Sequence, residues 1–340
     1  MSRLSSRVSI AVDAMSGDLG PRACVPGALA VLRSEPELEL QLVGIPDQIA
    51  PLLVGLPAAL RERVRIVAAT QVVAMGEPPR EAIRRKKDSS LRRALDLVAA
   101  GDAAACVSAG NTGALMASAH FVLGMIEGIE RPAILGAIPS VHGQTLMLDL
   151  GANTSATAEQ LLQFAVMGSV VATDLAGTAR PRVGLLNIGA EEIKGHELVK
   201  AAHQRLQASG LNYVGYVEGN DICGGAVDVV VSDGFTGNVA LKSMEGLARM
   251  MGGAIRAEFT ADPWRRASAL LAWAALGALK KRLDPGRYNG ASMVGLAGVV
   301  IKSHGGADAM AFAQAVRVAV LEARNDVPAQ IGAELKRQAG

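Results

Sequence analysis

Short apolar runs typical of β-strands alternate with alanine-rich segments typical of helices along nearly all of the 340-residue chain. The predicted strands are residues 8–12, 40–43, 64–68, 104–107, 133–138, 145–148, 183–187, 213–217, 227–231 and 299–301. Several are apolar at every position, as expected for strands that helices cover on both faces. The alternation therefore predicts an α/β protein, a three-layer α/β/α Rossmann-like body with a mostly parallel sheet.

One segment departs from this alternation. Residues 239–258 and 263–282 predict two consecutive helices with no strand between them, and Pro263 is well placed to begin the second. We expect residues 239–285 to form a helical hairpin that projects from the sheet. Because no linker divides the rest, we expect one domain over residues 1–340.

The composition excludes several classes of protein. Half of the residues are hydrophobic and 19% are charged, which permits a large core. Aromatic residues make up only 3% and the net charge is +2, which argues against a nucleic-acid partner. The three cysteines are far apart, so a zinc ribbon or disulfide scaffold is not expected, and a reducing cytoplasm suits them. The longest apolar run, residues 267–279, is too short to span a membrane.

Polar, glycine-rich segments follow the predicted strands. They are residues 13–21, 108–113, 149–153, 188–195, 232–238 and 302–306. Ligands of open α/β sheets bind beyond the carboxyl ends of the strands. Each segment is therefore a candidate wall of one shared cleft.

The segment 108–113 is the strongest candidate for an anion site. Its small residues let the backbone approach a ligand, and the following helix begins with free N–H groups. The predicted phosphate-binding residues are Ser108, Gly110, Asn111, Thr112 and Gly113, together with Asp149 and Asn153 of the segment 149–153. The alternative is an ordinary strand-to-helix turn with Asn111 or Thr112 as the N-cap.

Three further segments, and the helix that follows residues 232–238, carry candidate catalytic side chains. The candidates are Lys194, Asp233, Asn238, Lys242 and His304. Lys194 offers a positive charge to a phosphate or an oxyanion, although Lys194 with Glu191 and Glu192 equally fits a solvated turn. Asp233 and Asn238 equally fit an Asx-turn with a helix cap, and His304 equally fits a capping or packing role.

Familiar catalytic motifs are missing from the sequence. It contains no GxGxxG dinucleotide fingerprint, no GxSxG nucleophile elbow and no HExxH zinc motif. We therefore expect no organic cofactor and no metal ion.

Two basic clusters are candidate docking surfaces. The first contains Arg84, Arg85, Lys86, Arg92 and Arg93, for which a solvated helix face is the alternative. The second brackets the run 267–279 with Arg265 and Arg266 on one side and residues 280–282 on the other. That run is apolar on all sides, which favours either a tip at a membrane interface or a helix buried between subunits. The predicted tip residues are Leu270, Leu271, Trp273 and Leu276.

Several motifs, in the same order, resemble the bacterial phosphate acyltransferase family, PlsX. They are DAMSGDLGP from Asp13, VSAGNTGALM from Val107, GIERPA from Gly128, LDLGAN from Leu148, LNIGxEExKG from Leu186, DGFTGNVxLK from Asp233, YNG from Tyr288 and IKSHG from Ile301. The resemblance covers about residues 7–330. Ser16 is a departure, since a glycine is usual there.

The resemblance implies an enzyme of bacterial phospholipid synthesis, on the route to phosphatidic acid. It implies transfer of a fatty acyl group from acyl carrier protein to inorganic phosphate, which yields acyl phosphate and free carrier. It also implies a fold similar to isopropylmalate dehydrogenases and phosphotransacetylases, with no nicotinamide. The implied protein is a cytoplasmic homodimer that associates peripherally with the membrane, where an acylglycerol-phosphate synthase uses the acyl phosphate. The basic cluster is then the predicted site for acyl carrier protein.

The chemistry agrees with the candidate residues, because attack of phosphate on a thioester needs no side-chain nucleophile. Helix N-termini with Lys194 or Lys242 are expected to supply positive field, and Asp233 to orient or deprotonate phosphate or to position a lysine. The alternatives are a nicotinamide-dependent decarboxylating dehydrogenase on the same architecture and a non-catalytic adaptor for an acidic protein.

Overall fold

The computed structural model of the chain describes residues 7–191 and 193–339. The strands are β1 (Val8–Asp13), β2 (Leu38–Gly44), β3 (Val64–Ala68), β4 (Ala105–Ser108), β5 (Ala133–Ser140), β6 (Gly143–Leu148), β7 (Val183–Leu186), β8 (Tyr213–Val217), β9 (Val229–Val231), β10 (Ala291–Val294) and β11 (Val299–Lys302). The helices are α1 (Pro21–Ser34), α2 (Pro46–Ile49), α3 (Ala58–Arg61), α4 (Pro79–Arg85), α5 (Ser90–Ala99), α6 (Thr112–Leu123), α7 (Ala158–Ala176), α8 (Glu197–Ala208), α9 (Asp221–Gly224), α10 (Gly234–Thr260), α11 (Pro263–Leu271), α12 (Trp273–Leu283), α13 (Ala309–Asn325) and α14 (Val327–Ala339). Short 3₁₀ helices occupy Ala50–Leu53 and Pro285–Tyr288.

The described strands form one sheet in the order β3-β2-β1-β4-β11-β10-β5-β6-β9-β7-β8. The first parallel set consists of β3, β2, β1, β4 and β11, and the second consists of β6, β9, β7 and β8. Strands β10 and β5 lie between the two sets and pair antiparallel with their neighbours. The two parallel sets consequently run in opposite directions. The carboxyl ends of β1, β4 and β11 point to one edge of the sheet, and those of β6, β9 and β7 point to the other.

Helices cover both faces of this sheet, so the predicted three-layer α/β/α fold is confirmed. On one face, α1 and α13 pack on the first parallel set, and α7, α8 and α14 pack on the second. On the other face, α4, α5 and α6 cover the first set, and α9 and the start of α10 cover the second. Coverage of both faces explains why the strands are apolar at every position. In β1, for example, Ile10 and Val12 pack on one face of the sheet and Ala11 packs on the other.

The structure differs from the sequence predictions at three places. Strand β10 was not predicted, because it has four residues and pairs antiparallel without a crossover helix. Helix α10 begins at Gly234 and not at residue 239, since Asp233 caps it by accepting a hydrogen bond from the Thr236 N–H. The predicted second helix of the hairpin is divided into α11 and α12 at Ala272.

A carboxyl group is buried where the helical layers of the two parallel sets meet. Glu322 of α13 is 2% exposed, and it accepts a hydrogen bond of 2.9 Å from the Ser292 hydroxyl on β10. Burial raises the pKa of Glu322 to about 8, so this side chain is protonated in the folded protein at neutral pH.

We predict that Glu322→Gln removes a pH dependence of stability. The folded protein holds the Glu322 proton up to about pH 8, whereas an unfolded glutamate loses it near its ordinary pKa of 4.5. The stability that this proton contributes is full below about pH 4.5 and is lost as the pH rises towards 8. Relative to Glu322→Gln, the wild type should therefore lose on the order of 4 kcal/mol of unfolding free energy between pH 5 and 8.

Urea unfolding from pH 5 to 8.5 measures this difference. Glu197→Gln, at a carboxylate that is 94% exposed, is the control and should follow the wild type. Parallel stability curves for wild type and Glu322→Gln would contradict the prediction.

Candidate active site

The carboxyl ends of β1 and β4 are joined by hydrogen bonds between small buried polar groups. The Ser108 hydroxyl donates to Asp13 Oδ2 at 2.7 Å, and it accepts from the Gly110 N–H at 3.1 Å. The Ala109 N–H donates to the Ser16 hydroxyl at 2.8 Å. Ser108, Asp13 and Ser16 are all buried. These contacts fix the backbone of the segment 108–110, where the sequence predicts an anion site.

The loop after β11 closes this arrangement. The Ser303 N–H donates to the Ser108 carbonyl at 2.9 Å, and the Asp18 N–H donates to the Gly305 carbonyl at 2.8 Å. A Cβ on Gly17 would lie 2.8 Å from the same Gly305 carbonyl, so this approach requires glycine. The loops that follow β1, β4 and β11 thus form one cluster, which we call the first strand-end group (residues 13–18, 108–113 and 302–306).

Helix α6 begins inside this group. The side-chain oxygen of Asn111 caps the helix by accepting a hydrogen bond from the Ala114 N–H at 2.9 Å, and the side-chain NH2 of Asn111 donates to the Met75 carbonyl. Both ends of the Asn111 side chain are therefore engaged within the protein. Thr112 and Gly113 are exposed in the first turn, where backbone N–H groups have no partner within the helix. The backbone here is suited to an anion, and the Asn111 side chain acts as a cap.

His304 lies at the rim of the first strand-end group. Its backbone N–H donates to Asn289 Oδ1 at 2.8 Å, and its Nδ1 accepts from the Gly306 N–H at 3.1 Å. The Asn289 amide also donates to the Ser303 hydroxyl at 2.8 Å. Asn289, which the sequence analysis did not select, holds the loop that carries the exposed His304.

Lys302 is a second residue that the sequence analysis did not select as a site residue. It ends β11 in register with Ser108 on β4, and only 9% of it is exposed. The pKa of Lys302 is lowered to about 8, mainly by burial and also by the charge of Lys242, while the charges of Asp13 and Asp18 act in the opposite direction. A lysine at the end of an apolar strand, directly before Ser-His-Gly, was the available signal.

A second strand-end group (residues 149–153, 187–195 and 232–238) follows β6, β7 and β9. The Asp149 carboxylate is fully buried and accepts hydrogen bonds from the N–H groups of four residues and from the Asn153 amide. The Asn153 amide also donates to the Pro132 carbonyl at 2.8 Å. These contacts organise the loop after β6 and occupy both side chains. Phosphate binding by Asp149 and Asn153 stays a prediction.

The start of α10 packs directly on this loop. A Cβ on Gly234 would clash with the Asn153 carbonyl, and a Cβ on Gly237 would clash with the Asp149 carbonyl. The two glycines of the DGFTGN segment are therefore explained by close approach of backbones. Asp233 is committed to Thr236, whose N–H and hydroxyl donate to it at 2.9 and 2.7 Å.

The remaining predicted catalytic side chains are exposed. Asn238 lies beside Gly151. Lys194 pairs with Glu191 at 2.8 Å, which raises the pKa of the Lys194 ammonium; Glu192 lies outside the described residues. Lys242 pairs with Glu245 at 2.9 Å.

The carboxyl ends that carry the two groups point to opposite edges of the sheet. The reason is the reversal of strand direction at β10 and β5. Helix α10 connects them: it begins against Asp149 in the second group and brings the charge of Lys242 close to Lys302 in the first. Ser108–Gly113 and His304 thus lie together, as do Asp149, Asn153, Asp233 and Asn238.

The first basic cluster lies on α4, α5 and the turn between them. Arg84 is exposed, and the four other members have acidic neighbours: Arg85 with Glu81, Lys86 with Glu77, Arg92 with Asp96 and Arg93 with Asp88, at 2.8 to 3.8 Å. Its positive charge is therefore partly neutralised.

The tip between α11 and α12 exposes large apolar side chains. Leu271 is 92% exposed, and Leu270 and Trp273 are each 74% exposed, whereas Leu276 is half-buried. The side chains of Lys280, Lys281 and Arg282 lie outside the described residues. Among the helices described, none is long and apolar enough to cross a membrane. The described residues also include no group of three or more acidic, histidine or cysteine side chains placed to hold a metal ion.

Comparison with known proteins decides the family. A profile of the family described as fatty acid synthesis protein matches residues 8–330. This chain belongs to that family. Relatives include the phosphate acyltransferase of Alkalilimnicola ehrlichii, 53% identical over 98% of this chain and 97% of the relative. The phosphate acyltransferase of Nitrosococcus oceani is 54% identical over 97% of each chain. The predicted membership of the phosphate acyltransferase family is confirmed, and with it the prediction of an acyltransferase enzyme.

Solved structures of similar fold include other acyl-transferring enzymes. A phosphotransacetylase from Streptococcus pyogenes superposes with a TM-score of 0.62 at 16% identity, over 94% of each chain. A branched-chain phosphotransacylase from Enterococcus faecalis superposes with a TM-score of 0.57 at 13% identity, over 93% of the present chain and 99% of the phosphotransacylase. At this identity the likeness establishes the fold alone, and it confirms the predicted similarity to phosphotransacetylases.

Proposed function

We propose that this phosphate acyltransferase homologue transfers a fatty acyl group from acyl carrier protein to inorganic phosphate. A phosphate oxygen attacks the thioester carbonyl carbon and forms a tetrahedral intermediate. Collapse of that intermediate expels the carrier thiolate, which takes up a proton, and leaves the acyl phosphate. The observation that carries the proposal is the near-full-length identity of more than 50% to proteins named phosphate acyltransferase.

The first strand-end group suits the acceptor in this reaction. Phosphate is a small dianion, and the first turn of α6 offers backbone N–H groups and the positive end of a helix dipole. Ser108 and Asn111 are held by hydrogen bonds within the protein, so we assign them to the shape of the loop. Thr112 and Gly113 in the first turn of α6 then supply the backbone N–H groups that face phosphate, and Gly110, whose N–H is bound to Ser108, keeps the loop compact.

The second strand-end group suits the thioester carbonyl. Negative charge develops on the carbonyl oxygen in the transition state, and fixed cations or amide donors stabilise it. Lys194 and the Asn238 amide are exposed there and are our candidates for that role, with Lys242 between the groups. Asp233 is occupied as the cap of α10, so we assign it to positioning. His304 remains a candidate for moving a proton at the acceptor.

The proposed partners are those that the family resemblance implies. The acyl donor is acyl carrier protein, which docks on the basic cluster, and the tip meets the inner surface of the cell membrane. There the acylglycerol-phosphate synthase takes over an acyl phosphate that water would otherwise hydrolyse. We further propose a cytoplasmic homodimer acting in phospholipid synthesis. No observation favours the alternative of a decarboxylating dehydrogenase.

Lys194→Ala should impair turnover of acyl carrier protein thioester with phosphate. Loss of one charge-assisted contact costs about 1.5–3 kcal/mol, which corresponds to about a 10- to 100-fold lower kcat/KM. Release of free carrier thiol, measured as a function of phosphate concentration, tests both the variant and the reaction itself. Lys200→Ala is a matched control, because Lys200 also pairs with a glutamate three residues away. If the wild type releases no carrier in a phosphate-dependent way, the proposed function is refuted. If the two variants have equal kinetics, Lys194 has no role in stabilising the transition state.

Charge reversal of the exposed basic cluster should weaken docking of the acidic carrier. The double variant Arg84→Glu, Arg85→Glu should raise KM for the carrier several-fold at low salt, and the difference should shrink as salt screens the charges. The variant Arg337→Glu, on α14, alters an exposed arginine elsewhere and should leave KM unchanged. Unchanged carrier affinity of the double variant at low salt would exclude this surface.

The tip should be required for binding to lipid vesicles and not for catalysis. The double variant Leu271→Glu, Trp273→Glu should stay folded and active on soluble substrate but should no longer co-sediment with anionic vesicles. Val54→Glu, at an apolar residue that is 83% exposed in another loop, should sediment like the wild type. Dissociation of the double variant in solution would favour a helix buried between subunits instead.

A further inference from the structure

In the part of the chain that the structure describes, Lys302 is a buried cation with no carboxylate in direct contact. Within the described residues, its ammonium group donates one hydrogen bond, to the Ser303 carbonyl, although an ammonium has three hydrogens to donate. No carboxylate oxygen of the described residues lies within 4 Å of it. Burying a charge without a partner is costly, so this arrangement favours binding of an anion from solution.

The surroundings of Lys302 strengthen this argument. The charges of Asp13 at the end of β1, Asp18 in the loop after it and Lys242 on α10 act on Lys302, and His304 follows two residues later in the chain. The Asp13 carboxyl is itself buried, which raises its pKa, and its Oδ2 already accepts from Ser108. The two lysines repel each other. An anion bound close to both would offset that repulsion and the burial of Lys302.

The position of Lys302 selects the kind of anion. Its register partner Ser108 begins the segment that leads into α6, so the ammonium and the first turn of α6 belong to the same strand-end group. A small tetrahedral oxyanion can accept from both at once, whereas a thioester has no negative charge for the ammonium to neutralise.

We propose that the Lys302 ammonium is a direct ligand of inorganic phosphate, which it holds against the first turn of α6. The assignment rests on the proposed function and names the side chain that binds the acceptor. Lys302 donates to a phosphate oxygen that does not react, which leaves another oxygen free to attack the thioester. No proton leaves Lys302 during the transfer.

Calorimetric titration with inorganic phosphate, without any acyl donor, tests this ligand directly. Lys302→Met should weaken phosphate binding about 10- to 100-fold, as expected for loss of a charge-assisted hydrogen bond. Lys302→Arg keeps the charge and should restore much of the affinity. Lys336→Met is the control, because Lys336 is a surface lysine of α14 that pairs with Glu127.

The pH dependence separates a phosphate ligand from a structural lysine. The wild-type affinity should fall as the pH rises from 8 to 9.5, since the Lys302 ammonium loses its proton near pH 8, while phosphate is already largely a dianion. Lys302→Arg should show a flat profile over this range, because arginine stays charged. This comparison of wild type and Lys302→Arg shows whether Lys302 binds phosphate even if Lys302→Met does not fold.

Two results would overturn the assignment: unchanged phosphate affinity in folded Lys302→Met, or the same pH profile in wild type and Lys302→Arg. A lower melting temperature with unchanged phosphate affinity would mean that Lys302 only supports the fold. Failure of the proposed function is distinguishable, because a wild type that binds phosphate but releases no carrier would leave the Lys302 site intact.

Discussion

The buried hydrogen bond from the Ser108 hydroxyl to Asp13 Oδ2 determines the shape of the first strand-end group. It joins the ends of two neighbouring parallel strands, and the Ser16 hydroxyl adds a second link through the Ala109 N–H. The two serine hydroxyls take up the N–H groups of Ala109 and Gly110, so the N–H groups of the first turn of α6 are the ones left to face a ligand. A backbone that is fixed in this way binds an anion without having to reorganise, which is the condition for strong electrostatic stabilisation. Burial of Asp13, whose pKa is raised, is the cost of this arrangement.

The reversal of strand direction at β10 and β5 gives the molecule two groups of loops where a fully parallel sheet would have one. Acyl transfer needs donors both for the attacking phosphate and for the developing oxyanion, and both sets must reach the same reacting carbon. Helix α10 runs from the second strand-end group towards the first. Its first turn is packed against the loop after β6 by Gly234 and Gly237, and eight residues beyond Gly234 it presents Lys242 to Lys302.

The sequence was sufficient to predict the layers of the fold, because apolar strands and amphipathic helices are local patterns. Local patterns could not predict the reversal of strand direction, since the pairing of β10 with β5 joins residues more than 150 positions apart. The start of α10 was missed because glycines at 234 and 237 disfavour a helix locally, and only contact with residues 149–153 explains them. The sequence singled out the loops 108–113 and 302–306, whose role stays a prediction, but not Lys302, because its burial among charges depends on four separate elements.

A crystal structure of the full chain grown with inorganic phosphate tests the central claim most directly, namely that the loops after β1, β4 and β11 bind the acceptor. We predict one tetrahedral anion about 3 Å from the Lys302 ammonium and from backbone N–H groups at the start of α6. An anion bound only among residues 232–238, with the loops at 108–113 and 302–306 empty, would contradict the account.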